Sequence, residues 1–243
     1  MTEATNPAAR TAELENGLAA VRSRIVAATK ASGRADEPAL IVVTKFHPAD
    51  DIRRLAALGV KDVGENRDQE ASAKAEALHD LGLNWHFVGQ LQSKKAKSVV
   101  RYAHAVHSVD RPQLVDGLAR AMATEQDRSG RAALECFIQV SLDDDAGAHR
   151  GGAAPAEVPS LAEQLASAGG LVLAGVMAVA PLGSPPEAAF EKLAAISARL
   201  TADHPGATGI SAGMSQDLEV AIRFGATHLR IGSDILGSRP AVG

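Results

Sequence analysis

The chain has 243 residues, with 25 lysines and arginines against 29 aspartates and glutamates, a formal net charge of −4 and 46% apolar residues. That balance is ordinary for a globular protein: it offers no basic footprint for nucleic acid or a membrane surface, and no apolar run approaches the ~20 residues of a membrane span. Met1 to Arg10 lacks the basic and apolar regions of a secretory signal, and the single cysteine, Cys136, excludes an internal disulfide, so a cytoplasmic protein is expected.

Residues 1–9 are expected to form a flexible N-terminus. From about Ala8 to Ser32 the apolar positions Leu14, Leu18, Val21, Ile25 and Ala28 recur at helical spacing, and Gly33 supplies a stop. The run Ala39 to Thr44 follows. It is rich in β-branched residues without clean alternation, as in a parallel strand covered on both faces. Helix Asp50 to Leu58, strand Val60 to Val63, helix Gln69 to Leu81, strand Trp85 to Val88, a helix around Lys94 to Tyr102 and strand Ala105 to Val109 come next. Helix Pro112 to Glu125 leads to strand Leu134 to Leu142, and Asp143 to Pro159, rich in Asp, Gly, Ala and Pro, is expected to be a long loop. Helix Ser160 to Ala168, strand Leu171 to Met177, helix Pro186 to Asp203, strand Ala207 to Ile210, helix Asp217 to Phe224 and strand His228 to Ile231 complete the series. Eight strand-helix units, in a chain just under the roughly 250 residues usual for the fold, favour a single (β/α)8 TIM-type barrel with an extra N-terminal helix over an open sheet. No Pro- or Ser-rich linker interrupts it, so residues 1–243 count as one domain.

In such a barrel the site lies at the C-terminal ends of the strands. Lys45 ends the first strand. It is either a solvated lysine at a strand exit or a desolvated amine able to attack a carbonyl and form a Schiff base. Ser211-Ala212-Gly213-Met214-Ser215 after strand seven and Gly232-Ser233 after strand eight have phosphate-binding character, through hydroxyls and backbone N–H groups. A lysine opposite a phosphate cradle suits an aldehyde-bearing phosphate ester. Pyridoxal 5′-phosphate (PLP) fits, and so does the sugar phosphate of an aldolase or isomerase. Arg230 separates the two if it points inward, because a guanidinium facing a pyridine nitrogen keeps that nitrogen unprotonated and weakens the electron sink. An ion pair outside the barrel is its other reading. His86 and His107 read as hydrogen-bonded core histidines rather than metal ligands, and Lys94, Lys95, Lys97 and Arg101 as a solvated helix face. Tyr102 is expected within that helix.

The runs Val43-Thr44-Lys45, Gly64-Glu65-Asn66 with Gln69-Glu70, Trp85 to Gly89 with Leu91-Gln92, His107 to Asp110, Gly175-Val176-Met177, Ser211 with Gly213-Met214-Ser215, and Arg230 to Ser233 resemble, in the same order, the PLP homeostasis family (YggS/PROSC-like). The resemblance implies a PLP-binding barrel of fold type III, like the N-terminal domain of alanine racemase, with a role in PLP (vitamin B6) and amino-acid homeostasis and no established catalysis. It implies that Lys45 carries the Schiff base and that Asn66 lies beside the ring. It also implies that Met177 packs against the ring, that Arg230 faces the pyridine nitrogen, and that Ser211, Met214, Ser215, Gly232 and Ser233 hold the phosphate. Arg67, Gln90 and Lys94 depart from the family's usual residues at the rim. Apo PLP-dependent enzymes are the expected recipients, and a monomer is expected because the racemase's second domain, with its opposing tyrosine, is not matched. A weak racemase and a PLP-sensing regulator are the alternatives.

Overall fold

The structure, a computed structural model, describes residues 7–142, 151–181, 183 and 185–238. Eight parallel strands close into a barrel in sequence order: β1 (Ala39–Val43), β2 (Asp62–Glu65), β3 (Asn84–Phe87), β4 (Ala103–Val109), β5 (Leu134–Gln139), β6 (Leu171–Met177), β7 (Gly209–Ser211) and β8 (His228–Ile231). Closure pairs β1 with β8, setting Ile41 opposite Arg230. Around the strands run α2 (Ala49–Ala57), α3 (Asp68–Ala77), α4 (Ala96–Val99), α5 (Pro112–Ser129), α6 (Val158–Ser167), α7 (Pro186–Asp203), α8 (Leu218–Arg223) and α9 (Ser233–Leu236), while α1 (Pro7–Ala31) precedes β1.

Local chemistry explains the boundaries. Helix α5 opens on Pro112, whose missing N–H is no loss there, and closes on left-handed Gly130. Helix α1 buries Leu14, Leu18, Val21 and Ile25, the stripe its spacing predicts, each burial contributing about 1.5–3 kcal/mol. That stripe packs against α2, α8 and α9. Of the stretch 1–9 expected to be flexible, residues 1–6 lie outside the described residues and Pro7 begins α1.

Three segments differ from expectation. The expected loop Asp143 to Pro159 lies outside the described residues over 143–150. A 3-10 turn occupies Pro155–Glu157, and α6 starts at Val158, because Pro159 is tolerated in a helix's first turn. Helix α4 stops at Val99, so Tyr102 is not mid-helix but in the turn entering β4. Its hydroxyl lies 3.4 Å from Asp68, and burial, reinforced by that carboxylate, pushes the phenol above its usual range. Helix α9 is too short to show a periodicity.

Two cores result. The larger lies between strands and helices, while a small one inside the barrel gathers Ala105, Phe137 and Met177.

Candidate functional site

Lys45 stands one residue beyond the β1–β2 ladder, whose last rung is Thr44 N–H to Gly64 C=O at 2.9 Å. The backbone on both sides of it is pinned from behind by α3. Lys74 donates to the Thr44 carbonyl (2.9 Å), to Glu65 (2.7 Å) and to Glu70 (2.6 Å), which satisfies all three ammonium protons. Glu70 also accepts the Phe46 N–H at 2.6 Å, and Thr44 Oγ1 donates to Glu65 at 2.7 Å. Phe46 is held at φ 69°, and among the described residues it is the one non-glycine with positive φ. The chain therefore reverses sharply after Lys45, a conformation that costs of order 1–3 kcal/mol unless its surroundings enforce it. Lys74 and Glu70 are that enforcement. Burial pushes the Glu65 carboxyl upward, against the pull of Lys74.

Inside the barrel, Arg230 is buried (6% exposed), so its guanidinium points inward. It donates to Ser211 Oγ at 2.6 Å and to the Ala178 carbonyl at 2.9 Å, and burial lowers its pKa to about 10, which leaves it cationic at neutral pH. Beneath it runs a chain of contacts: His107 Nδ1 lies 2.8 Å from Ser211 Oγ, His107 Nε2 2.9 Å from His86 Nδ1, and His86 Nε2 3.0 Å from Asp62. With both imidazoles neutral, one proton arrangement satisfies every contact. Asp62 only accepts, so His86 carries its proton on Nε2, His107 on Nε2, and Ser211 gives its hydroxyl proton to His107. Ser211 is thereby committed on both sides, and its hydroxyl has no second proton to offer a phosphate.

Acid sensitivity follows from this interior. Burial holds His107 well below 6.5 and His228 at about 4, with nearby His86 adding to both. The unfolded chain takes up these protons near 6.5 while the folded barrel resists, so stability is held above pH 6.5 and lost as pH falls, by ~1.4 kcal/mol per pH unit for each histidine. Denaturant unfolding between pH 7 and 4 should show this slope, and His228→Gln should flatten it. An unchanged slope in the variant would remove His228 as a cause.

At the barrel mouth, Asn66 Oδ1 is buried with no protein partner among the described residues. Gly89 lets this happen: a Cβ there would lie 2.3 Å from the Asn66 carbonyl, so only glycine allows the two loops to touch. Ser215 and Ser233, from the β7 and β8 loops, meet with hydroxyls 3.2 Å apart, and a Cβ on Gly232 would come within 3.1 Å of the Val43 carbonyl, next to Lys45's strand. Met177 is buried inside the barrel with Phe137, whereas Met214 is half-exposed and its N–H donates to Asp217. Arg67 stacks on Phe46 at 5.0 Å, giving that rim position a role. The expected site residues thus converge on one end of the barrel, with Ser211 and Arg230 a layer below. Lys74 and Asp62 carry no such signal in the sequence.

The family model for the alanine racemase N-terminal domain matches residues 17–240. A pyridoxal phosphate homeostasis protein of Mycobacterium tuberculosis is 44% identical, over 95% of this chain and 94% of its own. The chain belongs to this family. A homeostasis protein of the same name from Escherichia coli is 33% identical over 93% of this chain and 97% of its own. The structure of PipY from Synechococcus elongatus with PLP bound superposes with a TM-score of 0.76 at 33% identity, covering 92% of this chain and all of that one. Alanine racemase from Corynebacterium glutamicum, at 15% identity and a TM-score of 0.64, shares the fold over 96% of this chain and 62% of its own.

Proposed function

We propose that this chain is a PLP-binding homeostasis protein that holds the cofactor reversibly on Lys45 as a Schiff base, supplies it to apo PLP-dependent enzymes in the cytoplasm, and works as a monomer. The observation that carries the proposal is the convergence, at one barrel end, of a backbone-pinned lysine, an inward arginine and a pair of facing serines. The residues fit the cofactor: Asn66 has a buried polar atom awaiting a partner, and Ser215 and Ser233 present two hydroxyls from adjacent loops. When bound, PLP supplies an aldehyde for covalent attachment and a ring that can act as an electron sink. Lys45 anchors the aldehyde end, Ser215 and Ser233 with the backbone of Gly232 hold the phosphate, Met177 packs against the ring, and Arg230, itself set by Ser211, faces the ring nitrogen.

Holding rather than turnover is the function this arrangement favours. A permanent cation at the ring nitrogen weakens the sink, and racemisation needs an acid/base group on each face of the substrate carbon. Lys45 supplies one face. Tyr102, the chain's one tyrosine, enters β4 from the opposite end of the barrel.

The experiment is transfer. PLP-loaded protein mixed with an apo PLP-dependent enzyme should restore activity faster than the same concentration of free PLP in the presence of a PLP scavenger. Equal or slower recovery would count against a carrier. In parallel, loaded protein incubated with L-alanine should produce no D-alanine; production that vanishes in Lys45→Ala would make it a racemase instead.

A further inference from the structure

Among the described residues, the side chains of the two loops proposed as the phosphate seat meet at the Ser215–Ser233 contact, while the Arg230 N–H donates to the Gly213 carbonyl at 2.9 Å just below. They are also flanked by acid. Glu219 sits in the first turn of α8 and Asp234 in the first turn of α9, two carboxylates beside the place where a phosphate dianion would rest.

One side chain from outside the barrel answers that acid. Arg24, on α1, donates from Nη1 to Asp234 at 2.6 Å, from Nη2 to the Ser215 carbonyl at 2.9 Å, and from Nε and Nη2 to the two oxygens of Glu219 at 2.7 and 3.0 Å. Its fork thus touches the β7 loop, α8 and α9 at once. A lysine, with a single point of charge, cannot span three such partners in a fixed plane. The hydrogen bond from Arg24 holds the Glu219 carboxyl below the usual carboxylate range. The helix that carries Arg24 is seated unusually close: a Cβ on Gly17 would lie 2.9 Å from the carbonyl oxygens of both Asp234 and Ile235, so only glycine lets α1 lie against α9. Arg10, two helical turns earlier, donates to the Leu236 carbonyl at 3.0 Å and to Asp51 at 2.8 Å, fixing the far end of α9 as well.

We infer that α1 is the outer buttress of the phosphate seat, with Arg24 as the positioning residue that locks the β7 and β8 loops together and neutralises the carboxylates beside them. This rests on the PLP reading given above. Arg24 is a third exposed and lies on the surface, so its replacement leaves the barrel core intact. Its contribution is specific to a ligand that carries a phosphate.

The test compares PLP with pyridoxal, which has the same ring and aldehyde without the phosphate. Equilibrium binding to the full chain is measured for wild type, Arg24→Met and Arg24→Lys, and the bound PLP phosphate is followed by phosphorus-31 NMR. Arg24→Met should weaken PLP about tenfold or more and leave pyridoxal binding nearly unchanged. Arg24→Lys should fall between the two. The phosphate's titration in the Met variant should move to higher pH, because two carboxylates now face it unpaired. An equal loss for both ligands, with no movement of the phosphate titration, would make Arg24 merely structural and overturn the inference, as would undiminished PLP binding in both variants. If wild type itself binds pyridoxal as tightly as PLP, the phosphate seat is wrong and the buttress falls with it, a result distinguishable because it appears before any substitution is made.

Discussion

Lys45→Ala should fold normally and lose all covalent retention of PLP. The side chain is half-buried at the end of β1 and its backbone is held by Lys74 and Glu70 whatever stands at position 45, so removing the amine leaves the bracket in place. What goes is the amine proposed to hold the aldehyde. Wild type loaded with PLP should absorb in the visible and keep the cofactor through gel filtration after borohydride reduction, with the added mass on the Lys45 peptide. The alanine variant should keep neither colour nor label after the same treatment, while a weaker, fully reversible binding survives through the phosphate seat. A wild-type label on Lys74 or Lys95 instead would relocate the anchor, and a wild-type protein that stays colourless with excess PLP would remove the cofactor altogether.

The second large effect belongs to Lys74. Lys74→Met removes the cation that pairs with Glu65, a carboxylate 1% exposed, and takes from the Thr44 carbonyl one of its two donors, leaving the His47 N–H. Breaking a buried ion pair by removing one partner costs about 3–5 kcal/mol, far more than the pair itself contributes, because a charge stays buried uncompensated. The loss should depend on pH in the direction opposite to that of the histidines. Glu65 already has its carboxyl pushed upward by burial, and without Lys74 it rises further, so the folded variant binds a proton that the unfolded chain, near 4.5, does not. Acidification toward 4.5 should then recover part of the deficit, and the double variant Lys74→Met/Glu65→Gln should recover part of it at neutral pH. Denaturant curves at pH 8 and pH 5.5 decide this; a deficit below about 1 kcal/mol at pH 8 would mean that Glu65 is not a charged partner. The same variant should load PLP poorly even where it is folded, since the turn at Phe46 has lost its clamp.

The barrel was legible because runs such as β1 and β6 are apolar and most connections carry a helix, while β2, Asp62-Val63-Gly64-Glu65, and the single turn of α4 give weak local signals. The candidate site was legible in position alone: Lys45, Asn66, Ser215, Gly232 and Ser233 all follow the C-terminal ends of strands. Ser211 is the instructive case. Its position after strand seven is right, yet its hydroxyl turns down into the barrel toward His107 and Arg230, a choice set by partners on β4 and β8 that no local pattern reveals. Arg230 itself could not be oriented from its strand, His228-Leu229-Arg230-Ile231, because alternation says that it shares a face with His228 but not which face is inward. Lys74, Asp62 and Arg24 escaped for another reason. Arg24, Asp62 and, through the Thr44 carbonyl, Lys74 reach partners distant in sequence, and a lysine or arginine on a helix reads as solvated until the fold shows what it reaches.

The seating of α1 on α9 also bears on the order in which the molecule can be assembled. Arg24 and Asp234 are 210 residues apart, so a helix made before β1 docks onto one made after β8. Until then, Leu14, Leu18, Val21 and Ile25 have only the early contact with α2 and lack their cover from α8 and α9, and the β1–β8 seam cannot close. Contacts of such long sequence separation are entropically late and slow folding. A nascent chain of this protein should therefore stay protease-sensitive and inclined to stick to chaperones until its final strand emerges, and cofactor binding should be among the last properties it acquires.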